Sequence, residues 1–182
     1  LEHQSCGDIL IGGNIVNASP AADSPPALLV YDATVALISA RGERTIPYRD
    51  FHLSYKRTAL AADELLHRVT VLRHLKGYKQ YIRKVGTRNA QAISKIALAA
   101  LAHVDNGRIA DIRLAAASLR EVPTRLPATE QALLGKAITE ESIRNARSAL
   151  MGESKPIDDI RSSAQYRATV AANLLEEFLL DL

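Results

Sequence analysis

Residues 92–117 read AISKIALAALAHVDNGRIADIRLAAA, and the fold class turns on whether this stretch is helical or extended. Its alanines and leucines suit a helix, because neither residue type loses much on entering one. Asp105-Asn106-Gly107 at its centre suits a hairpin instead, since Asn-Gly can supply the two positive φ values of a type I′ turn. The hairpin reading predicts strands over 92–102 and 109–117. A chain with that hairpin at its middle is α+β.

After Pro123 the signals turn helical. Residues 127–134 run to Gly135, 139–151 run to Gly152, and a third helix starts at Ser162 or Ser163 and runs toward Leu180. Each glycine stands where a helix C-cap calls for one. In the third helix Tyr166, Val170, Leu174 and Phe178 recur every four residues, with Ala171, Leu175 and Leu179 beside them. That spacing predicts one broad apolar face packed on a sheet or bundle.

Upstream of the hairpin, residues 8–23 read as a loop with one apolar stretch, because Gly12, Gly13, Asn14, Asn17, Pro20 and Asp23 crowd into them. Ser24-Pro25-Pro26 starts a short helix through Tyr31, with serine as cap and proline tolerated in the first turn. Residues 33–39 and 44–47 form a hairpin around Arg41-Gly42-Glu43. Residues 50–58 read as a loop, and 61–66 lead into a strand at 69–72 before Gly77 breaks the pattern. The boundary between two subdomains falls near 74–79, dividing 1–76 from 77–182.

With 182 residues and 47% hydrophobic content the chain can bury a sizeable core, in one domain or two small ones. A single cysteine, Cys6, cannot close an internal disulfide and is too few for an iron–sulfur cluster or a zinc site. That usage matches a reducing cytoplasm. No apolar run approaches the roughly 20 residues of a membrane span, and the N-terminus shows no basic segment followed by an apolar one. The expected location is cytoplasmic, with no membrane partner. At a net charge of +3, attraction to nucleic acid would have to come from a local cluster. Arg68, Arg73, Lys76, Lys79, Arg83, Lys84 and Arg88 form one, which reads as a solvated strand and loop face. Tryptophan is absent and aromatics are 4%, so base-stacking platforms are few and nucleic acid is not an expected partner.

The five histidines, His3, His52, His67, His74 and His103, lack an i, i+4 partner or a neighbouring cysteine, and no metal site is expected. No serine lies in a nucleophile-elbow pattern and Cys6 has no local base, so no catalytic residue is assigned. Gly12-Gly13 is the one adjacent glycine pair; such a pair lets backbone N–H groups approach a phosphate oxygen closely. Alone it is more often an ordinary turn, and it lacks the three spaced glycines of the dinucleotide fingerprint.

Residues 11–26, IGGNIVNASPAADSPP, resemble the second FAD-binding loop of molybdenum hydroxylase flavoproteins of the xanthine dehydrogenase and carbon monoxide dehydrogenase type. Residues 81–95, YIRKVGTRNAQAISK, are similar to that family's Lys-Val-Gly-Thr-Arg segment. Weaker agreements are Asp50-Phe51, Glu64-Leu65-Leu66, Glu130 before Leu133-Leu134-Gly135, and Asp159-Ile160-Arg161 before Tyr166-Arg167. The resemblance runs from about residue 11 to the end. It implies the remnant of a second FAD-binding lobe, then a C-terminal subdomain with a small antiparallel sheet and three helices.

It also implies FAD held between two lobes. Electrons would arrive from a 2Fe–2S subunit, beside a molybdopterin-binding subunit, and leave to NAD or another acceptor. Carried over by position, the amides around Ile11, Gly12 and Gly13 would face the pyrophosphate and Asn14 would brace that loop. Asp23 would accept hydrogen bonds from FAD hydroxyls, Leu66 would pack against the flavin, and Lys84 would lie near it as a donor. Two departures stand against this. Leu10 replaces a threonine or serine that helps hold a phosphate in the family, and the first lobe, with its own glycine-rich loop, has no counterpart. The chain begins at Leu1, not methionine, and reads as an excised or processed piece that retains little FAD and little activity of its own. The alternative is a cofactor-free module that docks subunits.

Overall fold

The computed structural model describes residues 11–71, 75, 77–88 and 92–182. Leu10, Cys6, His3, His74, Arg73 and Lys76 lie outside the described residues, as does part of the expected boundary at 74–79. In chain order the elements are α1 (Ile11–Val16), α2 (Ser24–Val30), β1 (Thr34–Ser39), β2 (Gly42–Pro47), a 3-10 turn (Tyr48–Asp50), β3 (His52–Ser54), β4 (Arg57–Thr58), β5 (Leu65–Thr70), β6 (Lys79–Val85), β7 (Ile96–Asp105), β8 (Arg108–Ala117), β9 (Thr124–Arg125), α3 (Pro127–Leu133), α4 (Glu140–Glu153) and α5 (Ala164–Leu180). Among the described residues β6-β7-β8-β9 form one antiparallel sheet, β2-β1-β5 a second, and β3-β4 a small ribbon. The chain is α+β, with the three C-terminal helices and the small sheet that its sequence implies.

The hairpin is extended over Ile96–Asp105 and Arg108–Ala117, its first strand starting four residues later than expected, and its turn is the decisive element: Asn106 and Gly107 have φ of +50° and +71°. Successive side chains of a strand point to opposite faces. Ile96, Leu98, Ala100 and Ala102 of β7, with Ile112, Leu114 and Ala116 of β8, bury against Ile143, Leu150, Leu175 and Phe178 of α4 and α5. Ala99, Leu101 and Ala115 bury on the opposite side with Leu28, Leu29, Val35, Leu37 and Phe51. Burial on both faces explains why these strands read as continuous apolar runs that periodicity cannot tell from a buried helix. Alanines on the second face let α2 lie directly against β7 and β8. The two expected subdomains thus share the sheet as a common wall.

Residues 8–23 are not simply a loop. Residues 11–16 form helix α1, whose Ile15 is fully buried, so tertiary contact outweighs the poor helix propensity of two glycines and an asparagine. Ser24 is the first residue of α2 and not its cap; its hydroxyl donates to Asn14 Oδ1 at 2.6 Å. Gly135 takes the positive φ of a C-cap, +75°, whereas Gly152 lies inside α4, which runs on to Glu153. Ser163 caps α5 by accepting from the Tyr166 N–H at 3.2 Å. Tyr166 is 41% exposed, off the apolar face; Arg167 is buried instead, paired with Asp159 at 2.6 Å.

Candidate functional site

The sequence-derived site residues sit on α1, at the start of α2, on β5 and on β6. Ile11, Gly12, Gly13 and Asn14 all belong to α1, and the amides expected in a turn are carried on a short helix. Leu66 is half-buried on β5, and α1 lies against that strand. A Cβ placed on Gly12 would meet Leu66 Cδ2 at 3.6 Å, so these two residues are neighbours. Asn14 Oδ1 accepts from Ser24 Oγ, which ties α1 to the start of α2. Two further contacts fix the C-terminal end of α1. Lys56 Nζ donates to the carbonyl and side-chain oxygens of Asn17 at 3.0 and 2.9 Å, and His52 Nε2 meets the Ile15 carbonyl at 3.0 Å. Burial pushes the His52 imidazole below its usual range, so the ring that makes this contact is neutral.

Asp23 and Lys84, 61 residues apart in sequence, form an ion pair with Lys84 Nζ at 2.5 Å from Asp23 Oδ2. The other carboxylate oxygen, Oδ1, accepts from Ser94 Oγ. Ser94 is fully buried, just ahead of β7, and its carbonyl accepts from Ser118 Oγ at 3.4 Å. Ser118 N–H in turn donates to the Pro20 carbonyl at 2.8 Å, which closes the α1–α2 connection onto the end of the sheet. Sequence reasoning missed Ser94, although it lies inside the 81–95 segment; a hydrogen bond across 71 residues leaves no local signal. The site residues are therefore linked step by step, from Leu66 through Gly12, Asn14 and Ser24 to Asp23, Lys84 and Ser94.

Glycine contacts separate two kinds of requirement. A Cβ on Gly86 would sit 2.9 Å from Ala92 Cβ, so the position just past the end of β6 needs glycine for its own packing. A Cβ on Gly13 would meet nothing within 4 Å, and Gly13 shows no positive φ. Neither packing among the described residues nor backbone geometry demands glycine there, and among those residues there is room for a group to approach this backbone closely.

Charge around the site is organised by pairs. Arg44 grips Glu64 with Nε–Oε1 at 2.7 Å and Nη2–Oε2 at 2.8 Å. That grip, with the Ala61 N–H, holds the Glu64 carboxyl down at about 2. The hydrogen bond from His67 lowers the Glu43 carboxyl, with Arg68 adding to the effect. On β6, Lys79 pairs with Asp181 and Arg83 with Glu177, so this part of the basic cluster faces its own counter-charges. Two cavities, of about 210 and about 440 Å³, are lined by none of the sequence-derived site residues. Among the described residues no cluster of three or more His, Cys, Asp or Glu could hold a metal ion, and no helix is long and apolar enough to cross a membrane.

Residues 80–182 match the family model described as the CO dehydrogenase flavoprotein C-terminal domain, and residues 9–71 match the FAD binding domain in molybdopterin dehydrogenase. The glyceraldehyde dehydrogenase medium chain of Sulfolobus acidocaldarius is 33% identical over 161 residues, which are 88% of this chain and 56% of that one. The xanthine dehydrogenase FAD-binding subunit of Escherichia coli is 30% identical over 159 residues, 86% of this chain and 54% of that one. In three dimensions the chain is similar to carbon monoxide dehydrogenase from Hydrogenophaga pseudoflava, with a TM-score of 0.86 and 28% identity over 92% of this chain and 58% of that one. The chain thus spans a little over half the length of the relatives it matches.

Proposed function

The chain belongs to the family of CO dehydrogenase flavoprotein C-terminal domains, preceded by an FAD-binding domain of the molybdopterin dehydrogenases, and on that premise we propose that it supplies one wall of an FAD site in a molybdenum hydroxylase of the xanthine dehydrogenase type. Its residues 1–76 act as the second FAD lobe and 77–182 as the flavoprotein C-terminal domain. The observation that carries this reading is the open Gly13 position beside Gly12 and Leu66, where no packing among the described residues and no positive φ calls for glycine. There the α1 backbone at Ile11, Gly12 and Gly13 would take the pyrophosphate, Asn14 would hold that backbone through Ser24, and Leu66 would face the flavin. Asp23 would meet FAD hydroxyls with the lone pairs that Lys84 and Ser94 leave free, and Lys84 would stand near as a donor. FAD, when bound, supplies the electron-carrying chemistry, and the protein supplies orientation and electrostatics.

The finer reading adds a molybdopterin-binding subunit and a 2Fe–2S subunit as partners, NAD or another acceptor as the exit for electrons, and a cytoplasmic setting. Relatives named as a medium chain and an FAD-binding subunit support the assembly. A second reading, a cofactor-free docking module, is favoured by one observation: Asp23 already accepts from both Lys84 and Ser94.

Titrating FAD into the 182-residue chain while following flavin fluorescence separates the two. We expect weak binding, because a groove open on one side leaves the pyrophosphate in water; losing three charge-assisted hydrogen bonds at about 1.5 to 3 kcal/mol each removes several tenfold steps in affinity. Supplying the preceding lobe should give a yellow, FAD-holding protein. A colourless protein in that form would establish the docking module, and saturation of the chain alone at about 1 μM, a free energy near 8 kcal/mol, would show that the second lobe suffices.

A further inference from the structure

The two cavities meet at Asp32 and Arg49, which line both. Asp32 follows the last turn of α2 in a left-handed conformation, φ +48°, where glycine or asparagine is usual. A carboxylate beside a helix C-terminus is disfavoured by the helix dipole. Here two arginines hold it: Arg113 Nη1 lies 2.6 Å from Oδ2 and Arg125 Nη1 lies 3.1 Å from Oδ1. Arg125 is also forked onto Glu130, and Arg113 Nε reaches Asp111, which accepts from Tyr78 as well. The acidic groups of the cleft are therefore committed.

The spare capacity lies with the donors. Arg49 lines both cavities and, among the described residues, has no carboxylate or carbonyl partner. An arginine stays charged at any ordinary pH, and its planar fork matches a carboxylate with two parallel hydrogen bonds. Beside it the cavity of about 210 Å³ is walled mainly by Leu28, Leu29, Ala33, Pro47 and Tyr48, with Thr34 and the arginine-paired Asp32 also lining it, a largely apolar slot of the size a single ring needs. The Tyr48 hydroxyl is buried without a partner, a cost that an acceptor brought in by a ligand would recover.

We propose that this cleft, where α2 and the 3-10 turn meet β8 and β9, binds a small aromatic carboxylate, with its head on Arg49 and its ring in the apolar slot. The site is separate from the Gly12–Lys84 chain of residues and does not depend on FAD.

The test titrates benzoate, acetate and inorganic phosphate into the 182-residue chain and follows the arginine Nε–Hε signals by nitrogen-15 NMR. Benzoate should saturate with a Kd of about 1 mM and move the Arg49 signal, and acetate should bind about tenfold more weakly for want of a ring. Arg49→Ala should abolish saturation with an unchanged melting temperature, and Arg49→Lys should retain only part of it, since a lysine keeps charge but loses the fork. Benzoate that fails to saturate by about 50 mM, or that binds Arg49→Ala equally well, overturns the site. Equal affinity for acetate and benzoate overturns the ring slot, and tighter binding of phosphate overturns the carboxylate.

Discussion

The β6–β9 sheet and the β2-β1-β5 sheet are both small and antiparallel, yet they are stabilised in opposite ways. The first is buried on both faces between the C-terminal helices and α2, with β7 fully buried from Ile96 to Ala102. The second buries only β1; β2 and β5 are exposed along most of their length and are tied together by Arg44–Glu64, Arg41–Asp63 and the Glu43–His67–Arg68 cluster. One sheet depends on apolar contact, which neither charge screening nor protonation weakens directly, and the other is bound at its rim by charge. The difference teaches where each half can be perturbed.

The largest effect is expected in the doubly buried sheet. Leu98→Ala should lower unfolding free energy by about 2 to 5 kcal/mol, because the facing helices cannot collapse fully into the gap, and Leu65→Ala, at 72% exposure, should change it little. Denaturant unfolding of both variants makes the comparison directly, and equal costs would mean that the two sheets do not differ as described. Next comes Gly86→Ala, which sets a methyl against Ala92 Cβ and should cost about 1 to 3 kcal/mol in the same assay.

Acid should act on the N-terminal half, which holds both His52 and Glu64. His52 is held neutral by burial, so the unfolded chain takes the proton first, and stability that is complete above the ordinary histidine pKa of 6.5 is lost as pH falls below it. Glu64 is depressed from 4.5 to about 2, so its contribution, present above 4.5, disappears between those values. Melting temperature followed from pH 7 downward should fall in two limbs. His52→Gln should remove the upper limb and Glu64→Gln the lower; a His52→Gln curve that keeps both limbs would place the upper one elsewhere.

The smallest change in stability is the most informative for function. Gly13→Ala adds a methyl where nothing lies within 4 Å and where helix propensity favours alanine by about 1 kcal/mol. Thermal stability should stay level or rise while FAD affinity, measured with the first lobe supplied, falls. If both are unchanged, the opening at Gly13 has no ligand.

How far the sequence carried depends on where the information is stored. The Asn106-Gly107 hairpin and helices α3 to α5 were legible, because turn chemistry, glycine caps and four-residue spacing are written locally. Helix α1 was not, since its glycines argue against a helix and tertiary contacts hold it in one: the buried Ile15, the approach to Leu66 and hydrogen bonds from Ser24, His52 and Lys56. The β3–β4 ribbon escaped notice because strands of three and two residues are too short to show alternation. In the candidate site, family likeness pointed to Asp23 and Lys84 separately. Their pairing, and Ser94 beneath it, exist only once β6 and α2 are brought together.

Strand β6 closes one side of the larger sheet, with β7 as its single neighbour among the described strands. Its free side would expose a ladder of N–H and C=O groups next to Ile82, which is 64% exposed. Lys79, Arg83 and Lys84 stand along that strand, each steered by Asp181, Glu177 or Asp23. Charges spaced along an edge keep a second chain from adding itself there, since an incoming strand would have to strip water from them. These three residues, part of the basic cluster read from the sequence as a solvated strand and loop face, are expected to guard that edge against self-association. A chain neutralised at these three lysine and arginine positions would be one that pairs with its own copies before it loses its fold.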